Sequence, residues 1–186
     1  MFLFLVQILT TIENIPRSTG EVFTELYREF LPKVFRYVSY RVNDAVLAED
    51  LTSAVFEKAL VKFSSYSQDR GAFSTWIFSI ARNTIIDHFR TSKQARMVSL
   101  DNAATVADGD PTPEDDAVKN AEIRHLQDCM ANLPQSQREI IALKFGAEMT
   151  NRQIAKKLGI SESNVGTILY RVVRKLREDY GVNWNG

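Results

Sequence analysis

Arg82, Asn83, Asp87 and Arg90 lie in one stretch, residues 72–90, with Trp76, Ile77, Ile80, Ala81, Ile85 and Phe89. The apolar set recurs every three or four residues, which marks the core-facing stripe of a helix. The guanidinium, amide and carboxylate groups fall largely off that stripe. Just upstream, residues 63–71 form a short polar loop that carries Tyr66 and Arg70. A cationic, amide-bearing helix face beside an aromatic loop can hold unstacked bases, with rings taking the base faces and cations the backbone. A buried helix with a solvated far side gives the same periodicity, so the rest of the chain must decide. A second group is Arg152, Ser163, Asn164, Thr167, Tyr170, Arg171 and Arg174, with Lys175 beside them. Short polar side chains near a helix start suit base edges, and arginines further along suit phosphates.

Other chemistry is poorly provided for. Asp87 and His88 are adjacent, and neighbours on a helix do not face each other. His88 and His125 are the two histidines, and both read as surface or satisfied helix residues. No metal-ligand spacing and no phosphate loop is present. No catalytic, metal or cofactor-binding residue is therefore expected, and the chain does not read as an enzyme. Cys129 is the one cysteine, so no internal disulfide can form. That fits a reducing, cytoplasmic compartment, and its apolar surroundings predict a small core residue.

The elements that position the two polar groups can be read from apolar spacing. Residues 21–41 predict a helix with Phe23, Leu26, Tyr27, Phe30, Val34 and Val38 inward and Leu31 and Phe35 widening the stripe. Pro32 lies inside it and can kink or split it. Asp44 is placed to cap a second helix, residues 45–63. Leu47, Leu51, Val55, Ala59 and the pair Lys62 and Phe63 trace its buried side, and Glu49, Asp50, Thr52, Ser53 and Glu57 fall outside. With residues 72–90 these make a three-helix unit. Residues 93–112, extending to about 118, read as a flexible acidic linker. Thr112 and Pro113 then start a helix whose inner positions include Ile123, Leu126, Cys129 and Met130. Leu133 and Pro134 open another, which buries Ile140, Ile141, Leu143 or the stem of Lys144, and Phe145, and ends at Gly146.

Residues 149–176 carry the most specific pattern. Thr150 and Gln153 form a capping box, and Met149 and Ile154 stand at the positions of a hydrophobic staple. Ala155 is small where two helices cross, Gly159 supplies the turn, and Ile160 plugs the gap. Ser161 caps the next helix, whose inward stripe is Val165, Ile168, Leu169, Val172 and Leu176. This is a helix-turn-helix, and the polar group named above occupies its outward face.

Charge supports the reading by its distribution. The 186 residues carry 23 basic and 23 acidic side chains, a net charge of zero. Residues 93–118 hold 2 basic against 6 acidic groups, and residues 152–177 hold 7 against 1. A basic patch sits inside a neutral total. The N-terminal residues are apolar, but the run is short, lacks a basic flank and is followed by Glu13. Residues 1–20 read as an extension, neither a signal peptide nor a membrane span.

In this order, residues 48–59, residues 73–90 and residues 133–143 running into the helix-turn-helix resemble bacterial RNA polymerase sigma factors of the extracytoplasmic-function (ECF) group. The likeness covers roughly residues 22–180. It implies an all-α fold of two small helical domains joined by a flexible acidic linker. Residues 21–92 correspond to sigma region 2 and residues 113–181 to sigma region 4, followed by a tail, residues 182–186. It further implies that Glu49, Asp50, Leu51 and Ser53 dock on the β′ clamp helices of core RNA polymerase. Tyr66, Arg70, Arg82, Asn83, Asp87 and Arg90 would read and melt the −10 element of promoter DNA. Trp76 and Phe73 read as core in preference to a stacking platform. Arg152, Ser163, Asn164, Thr167, Tyr170, Arg171 and Arg174 would bind the −35 element, and this unit would also contact the β flap. An anti-sigma factor is a common further partner in the family.

The linker fits that role mechanically. As a coil, about 26 residues span roughly 25–30 Å, and fully extended about 85–90 Å. Promoter elements one and a half to two helical turns apart lie roughly 50–70 Å from each other. Free of polymerase, the two units are expected to collapse together or tumble separately. The chain departs from the family at Gly166 and Ile168, where basic residues are usual, so a distinct −35 sequence is expected. The alternative is a stand-alone helix-turn-helix regulator that binds duplex DNA without polymerase; the docking motif of the three-helix unit argues against it.

Overall fold

The first apolar stripe folds as α1, Arg17–Val42. In the computed structural model residues 17–42, 44–98 and 129–179 are described, and every regular element among them is helical. Helix α1 buries Phe23, Phe30, Val34 and Val38. It also buries Tyr37, which the stripe omits, whereas Phe35 is 37% exposed and does not widen the stripe. Pro32 neither splits nor ends α1. Its ring removes one backbone donor, but Phe30 and Val34 on either side are anchored in the core.

Asp44 caps α2, Ala45–Lys62, by accepting the Leu47 N–H at 2.9 Å. Leu51, Val55, Ala59 and, just beyond, Phe63 are buried, and so are Ala48, Phe56, Leu60 and Thr52. Apolar spacing alone puts Thr52 outside. The helix packs against both α1 and α3, so its buried face is wider than one stripe. Two 3₁₀ turns, Phe63–Ser65 and Gln68–Arg70, lead to Gly71 at φ 147°, a conformation open to glycine.

Helix α3 runs Phe73–Val98. Phe73, Ile77, Phe78, Ala81, Thr84 and Ile85 are buried, and Trp76, Ile80 and Phe89 pack half-buried against them. The helix continues through residues 93–98, which composition assigns to the start of the linker. Lys93, Gln94, Ala95, Arg96 and Met97 favour helix without needing an apolar stripe. The remainder of the linker, the Thr112 helix start, Ile123, His125, Leu126, the N-terminal extension and the C-terminal tail lie outside the described residues.

In the second unit Cys129, Met130 and Leu133 are buried, and Pro134 precedes α4, Gln135–Ile141. The helix then widens into a π turn, Ala142–Gly146, in which the Ala147 N–H donates to the Ala142 carbonyl at 2.9 Å. Ile140, Ile141 and Leu143 are buried as expected, but Phe145 is 46% exposed. The extra residue of a π turn rotates the next side chains off the α-helical register. Gly146 is buried against α1: a Cβ there would stand 2.6 Å from the Tyr37 Cα. Close approach of two backbones, with no left-handed cap involved, is what requires glycine at this position.

Helices α5, Asn151–Leu158, and α6, Glu162–Asp179, complete the described residues. One continuous apolar core joins Val34, Tyr37 and Phe78 of the first unit to Leu143, Ile154 and Val165 of the second. The two units are packed together.

Candidate nucleic-acid interface

The helix-turn-helix is built by local interactions. The Thr150 hydroxyl accepts the Gln153 N–H at 3.2 Å, and the Gln153 side chain accepts the Thr150 N–H at 2.8 Å. Both halves of the capping box form. Met149 and Ile154 are buried, and Ala155 is buried where α5 meets its neighbours. Gly159 takes the left-handed conformation at φ 70°. The Ser161 hydroxyl then accepts the Asn164 N–H at 3.1 Å and starts α6.

That start sets which face of α6 turns outward. Val165, Leu169 and Val172 are buried, and Ile168 and Leu176 pack against the core. Ser163, Asn164, Thr167, Arg171 and Arg174 are exposed, as is Arg152 on α5. Tyr170 is 68% exposed. The Thr167 hydroxyl donates back to the Ser163 carbonyl at 3.0 Å. Arg174 lies 3.6 Å from Glu178 and 5.9 Å from the Tyr170 ring centroid. All seven side chains read as a −35 surface are thus on the solvent side of one two-helix motif. Gly166 and Ile168 are both half-buried.

The second group divides. Asn83, Asp87 and Arg90 are exposed on α3, with Asp87 and Arg90 paired at 3.3 Å. Arg70 is exposed in the loop. Tyr66 is half-buried in a ring cluster: 6.0 Å and nearly parallel to Phe63, 5.4 Å from Phe73 and 5.2 Å from Trp76 between centroids. Its ring forms the outer wall of an aromatic nest. Phe73 is core, and Trp76 is partly accessible. On α2, Glu49 and Asp50 are exposed and Ser53 is half-buried. Leu51, placed on the buried side by apolar spacing and on the docking face by the family likeness, is in the core. It follows Asp50 by one position, which turns it inward toward α1 and α3.

Arg82 is placed differently from its neighbours. Its Nε donates to Glu139 Oε1 of α4 at 3.0 Å. The same oxygen accepts the Tyr37 hydroxyl at 3.3 Å, and the other carboxylate oxygen pairs with the buried Arg41 guanidinium. Arg41 also reaches Gln135 Oε1 at 3.4 Å. Glu139 itself is 7% exposed. Burial pushes the Tyr37 phenol well above its ordinary value, and the Glu139 charge adds to this. Burial also pulls the Lys157 ammonium down, helped by nearby Arg82 and opposed by Glu139. Lys157 Nζ donates to Ser79 Oγ of α3 at 2.9 Å. Sequence reasoning missed this cluster. The available signal was Glu139 itself, an acid directly before Ile140 and Ile141 and four residues before Leu143, on the buried side of its helix.

Among the described residues no three His, Cys, Asp or Glu side chains stand together to hold a metal ion. No described helix is long and apolar enough to cross a membrane.

The fold and this surface define an all-helical, two-unit DNA-binding protein with a helix-turn-helix in its second unit. Residues 26–95 match Sigma-70 region 2 and residues 123–176 match Sigma-70, region 4. The ECF RNA polymerase sigma factor RpoE of Cereibacter sphaeroides is 31% identical over 150 residues, 81% of this chain and 80% of that protein. The ECF RNA polymerase sigma factor BldN of Streptomyces coelicolor is 29% identical over 170 residues, 91% of this chain and 64% of BldN. The chain therefore spans somewhat less than two thirds of BldN. Sigma factor RpoE of Bartonella quintana, solved in complex with the anti-sigma factor NepR, has the same fold, with a TM-score of 0.69 at 18% identity over 88% of this chain and 99% of that one. The chain belongs to the ECF RNA polymerase sigma factors.

Proposed function

We propose that this chain directs core RNA polymerase to promoters by reading two DNA elements, one with each unit, and by helping to open the duplex at the first. The observation that carries this is the presence, in family order, of region 2 and region 4 on one chain, with the polar face of α6 turned to solvent. On this reading the protein works by binding and positioning. Glu49, Asp50 and Ser53 offer a docking face to the polymerase β′ clamp helices. The Tyr66 nest compensates a flipped base for lost stacking, while Arg70, Asn83, Asp87 and Arg90 hold the strand beside it. Arg152, Arg171 and Arg174 take −35 phosphates, and Ser163, Asn164 and Thr167 take base edges. The second unit also meets the β flap. An anti-sigma factor is the expected restraining partner, by likeness to the Bartonella protein captured with one.

Run-off transcription tests this with bacterial core polymerase on a genomic promoter library, with and without the protein. New start sites sharing two spaced upstream elements are the expected result. If core gains no start site while the protein alone shifts duplex DNA with a steep salt dependence, the stand-alone regulator replaces this reading.

A further inference from the structure

We propose a binding site for a small, multiply charged phosphate anion at the junction of the two units, held by Arg82, Arg138 and Lys157 with Arg41 behind them.

Four cations and one carboxylate meet there. Arg41 on α1 and Arg82 on α3 both pair with Glu139 on α4. Arg138 precedes Glu139, and its guanidinium is pulled below its ordinary value by burial and then by the charge of Arg41. Lys157 on α5 feels Arg82 and Glu139 in the same way. Among the described residues neither Arg138 nor Lys157 has a carboxylate partner, and Glu139 is already engaged. One of its oxygens accepts Tyr37 and Arg82, and the other takes Arg41. Four positive charges against one negative leave an excess of three.

Donors remain to meet that excess. Arg82 engages Glu139 through Nε and is 39% exposed along its side chain, so its terminal nitrogens face outward. Arg138 Nε is buried with no hydrogen-bond partner. Arg41 is 4% exposed along its side chain, and its Nε is likewise buried and unpartnered. Lys157 Nζ gives one N–H to Ser79, and an ammonium has three.

These features select the ligand. Charges withdrawn from water are ordinarily paired, and an uncompensated excess costs free energy that an entering anion recovers. Guanidinium groups match phosphate oxygens in geometry as well as charge. One phosphate group brings a charge of about −1.5 to −2, so two linked phosphates come closest to balancing three cations. The site also favours a small molecule over a nucleic-acid backbone. Arg138 and Lys157 are half-buried between helices of both units, whereas Arg171 and Arg174 on the duplex-facing side of α6 are exposed.

Calorimetric titration of the full chain with sodium pyrophosphate, free of magnesium and at constant ionic strength, tests this. Saturable one-to-one binding is expected. Arg138→Gln and Lys157→Gln should each weaken it by about tenfold or more. Both leave the partners of Glu139 in place, and Arg138 has no ion-pair partner to lose. A double variant, Arg171→Gln with Arg174→Gln, should bind as wild type does. Small-angle scattering should give the same radius of gyration with and without pyrophosphate, because the four cations meet only while the units are packed. An ADP arm separates the two sources of a diphosphate. Pyrophosphate binding at least as tightly as ADP assigns the site to the free anion, and tighter ADP binding assigns it to a nucleotide. Either result supports the site if Arg138→Gln weakens it. Wild-type affinity in Arg138→Gln and Lys157→Gln, loss of binding in the α6 double variant, equal binding of sulfate, or expansion on binding would each overturn the proposal. The titration contains no polymerase or promoter, so its outcome is separate from that of the promoter-directed reading.

Discussion

Gly166 sits on α6 one residue past buried Val165, half-buried and without a left-handed backbone. A Cβ there meets only Asn151 Nδ2, at 3.9 Å, an ordinary contact. Glycine in a helix interior loses up to about 1 kcal/mol against alanine. Gly166→Ala should therefore raise stability by roughly 0.5–1 kcal/mol in thermal or urea unfolding; a loss would mean that the close neighbour cannot accommodate even a methyl group. Gly146 makes the contrast. It too lacks a left-handed φ, yet it is held by α1 backbone atoms. The sequence marks Gly146 as a helix end and Gly166 as a helix interior, but it does not show the α1 backbone against which Gly146 packs. One answers to its own helix and the other to a segment about a hundred positions away.

Helix α5 was legible because its determinants are local. Thr150, Gln153, Gly159 and Ser161 each act within four residues, and each behaves as its spacing predicts. Thr150→Ala should cost about 1 kcal/mol and weaken duplex binding by the second unit while leaving scattering dimensions unchanged. Equilibrium unfolding measures the first effect, and unaltered stability would show that Met149 and Ile154 suffice to fix the helix start. Elements whose limits depend on packing were less legible. Helix α1 continues through Pro32 because its flanks are anchored in the core. Helix α3 outruns its apolar stripe by several residues because propensity alone carries it to Val98. The π turn at Ala142–Gly146 has no apolar-spacing signature, which is why periodicity puts Phe145 on the wrong side.

Across the whole molecule, the outward face of the helix-turn-helix could be read from periodicity, but the partner of Arg82 could not. Arg82 and Glu139 are separated by 57 positions, and the pair exists only once both units are folded and docked. Two kinds of charge pair join the units, and salt separates them. The Lys33–Glu148 and Arg36–Glu148 pairs are partly exposed, so they should weaken as the screening length shrinks from about 10 Å at 0.1 M salt to about 3 Å at 1 M. The Glu139 cluster is buried and screened far less. Scattering dimensions should therefore stay near their low-salt value across that range; expansion with salt would show that the Glu148 bridges hold the units together. The aromatic nest of the first unit has a different consequence. Trp76 lies 5.2 Å from the Tyr66 ring, and the chain's other tryptophan, Trp184, falls in the C-terminal tail. With Trp184 replaced by phenylalanine, the emission of a single indole becomes a built-in optical gauge of base entry, readable in real time without any attached dye.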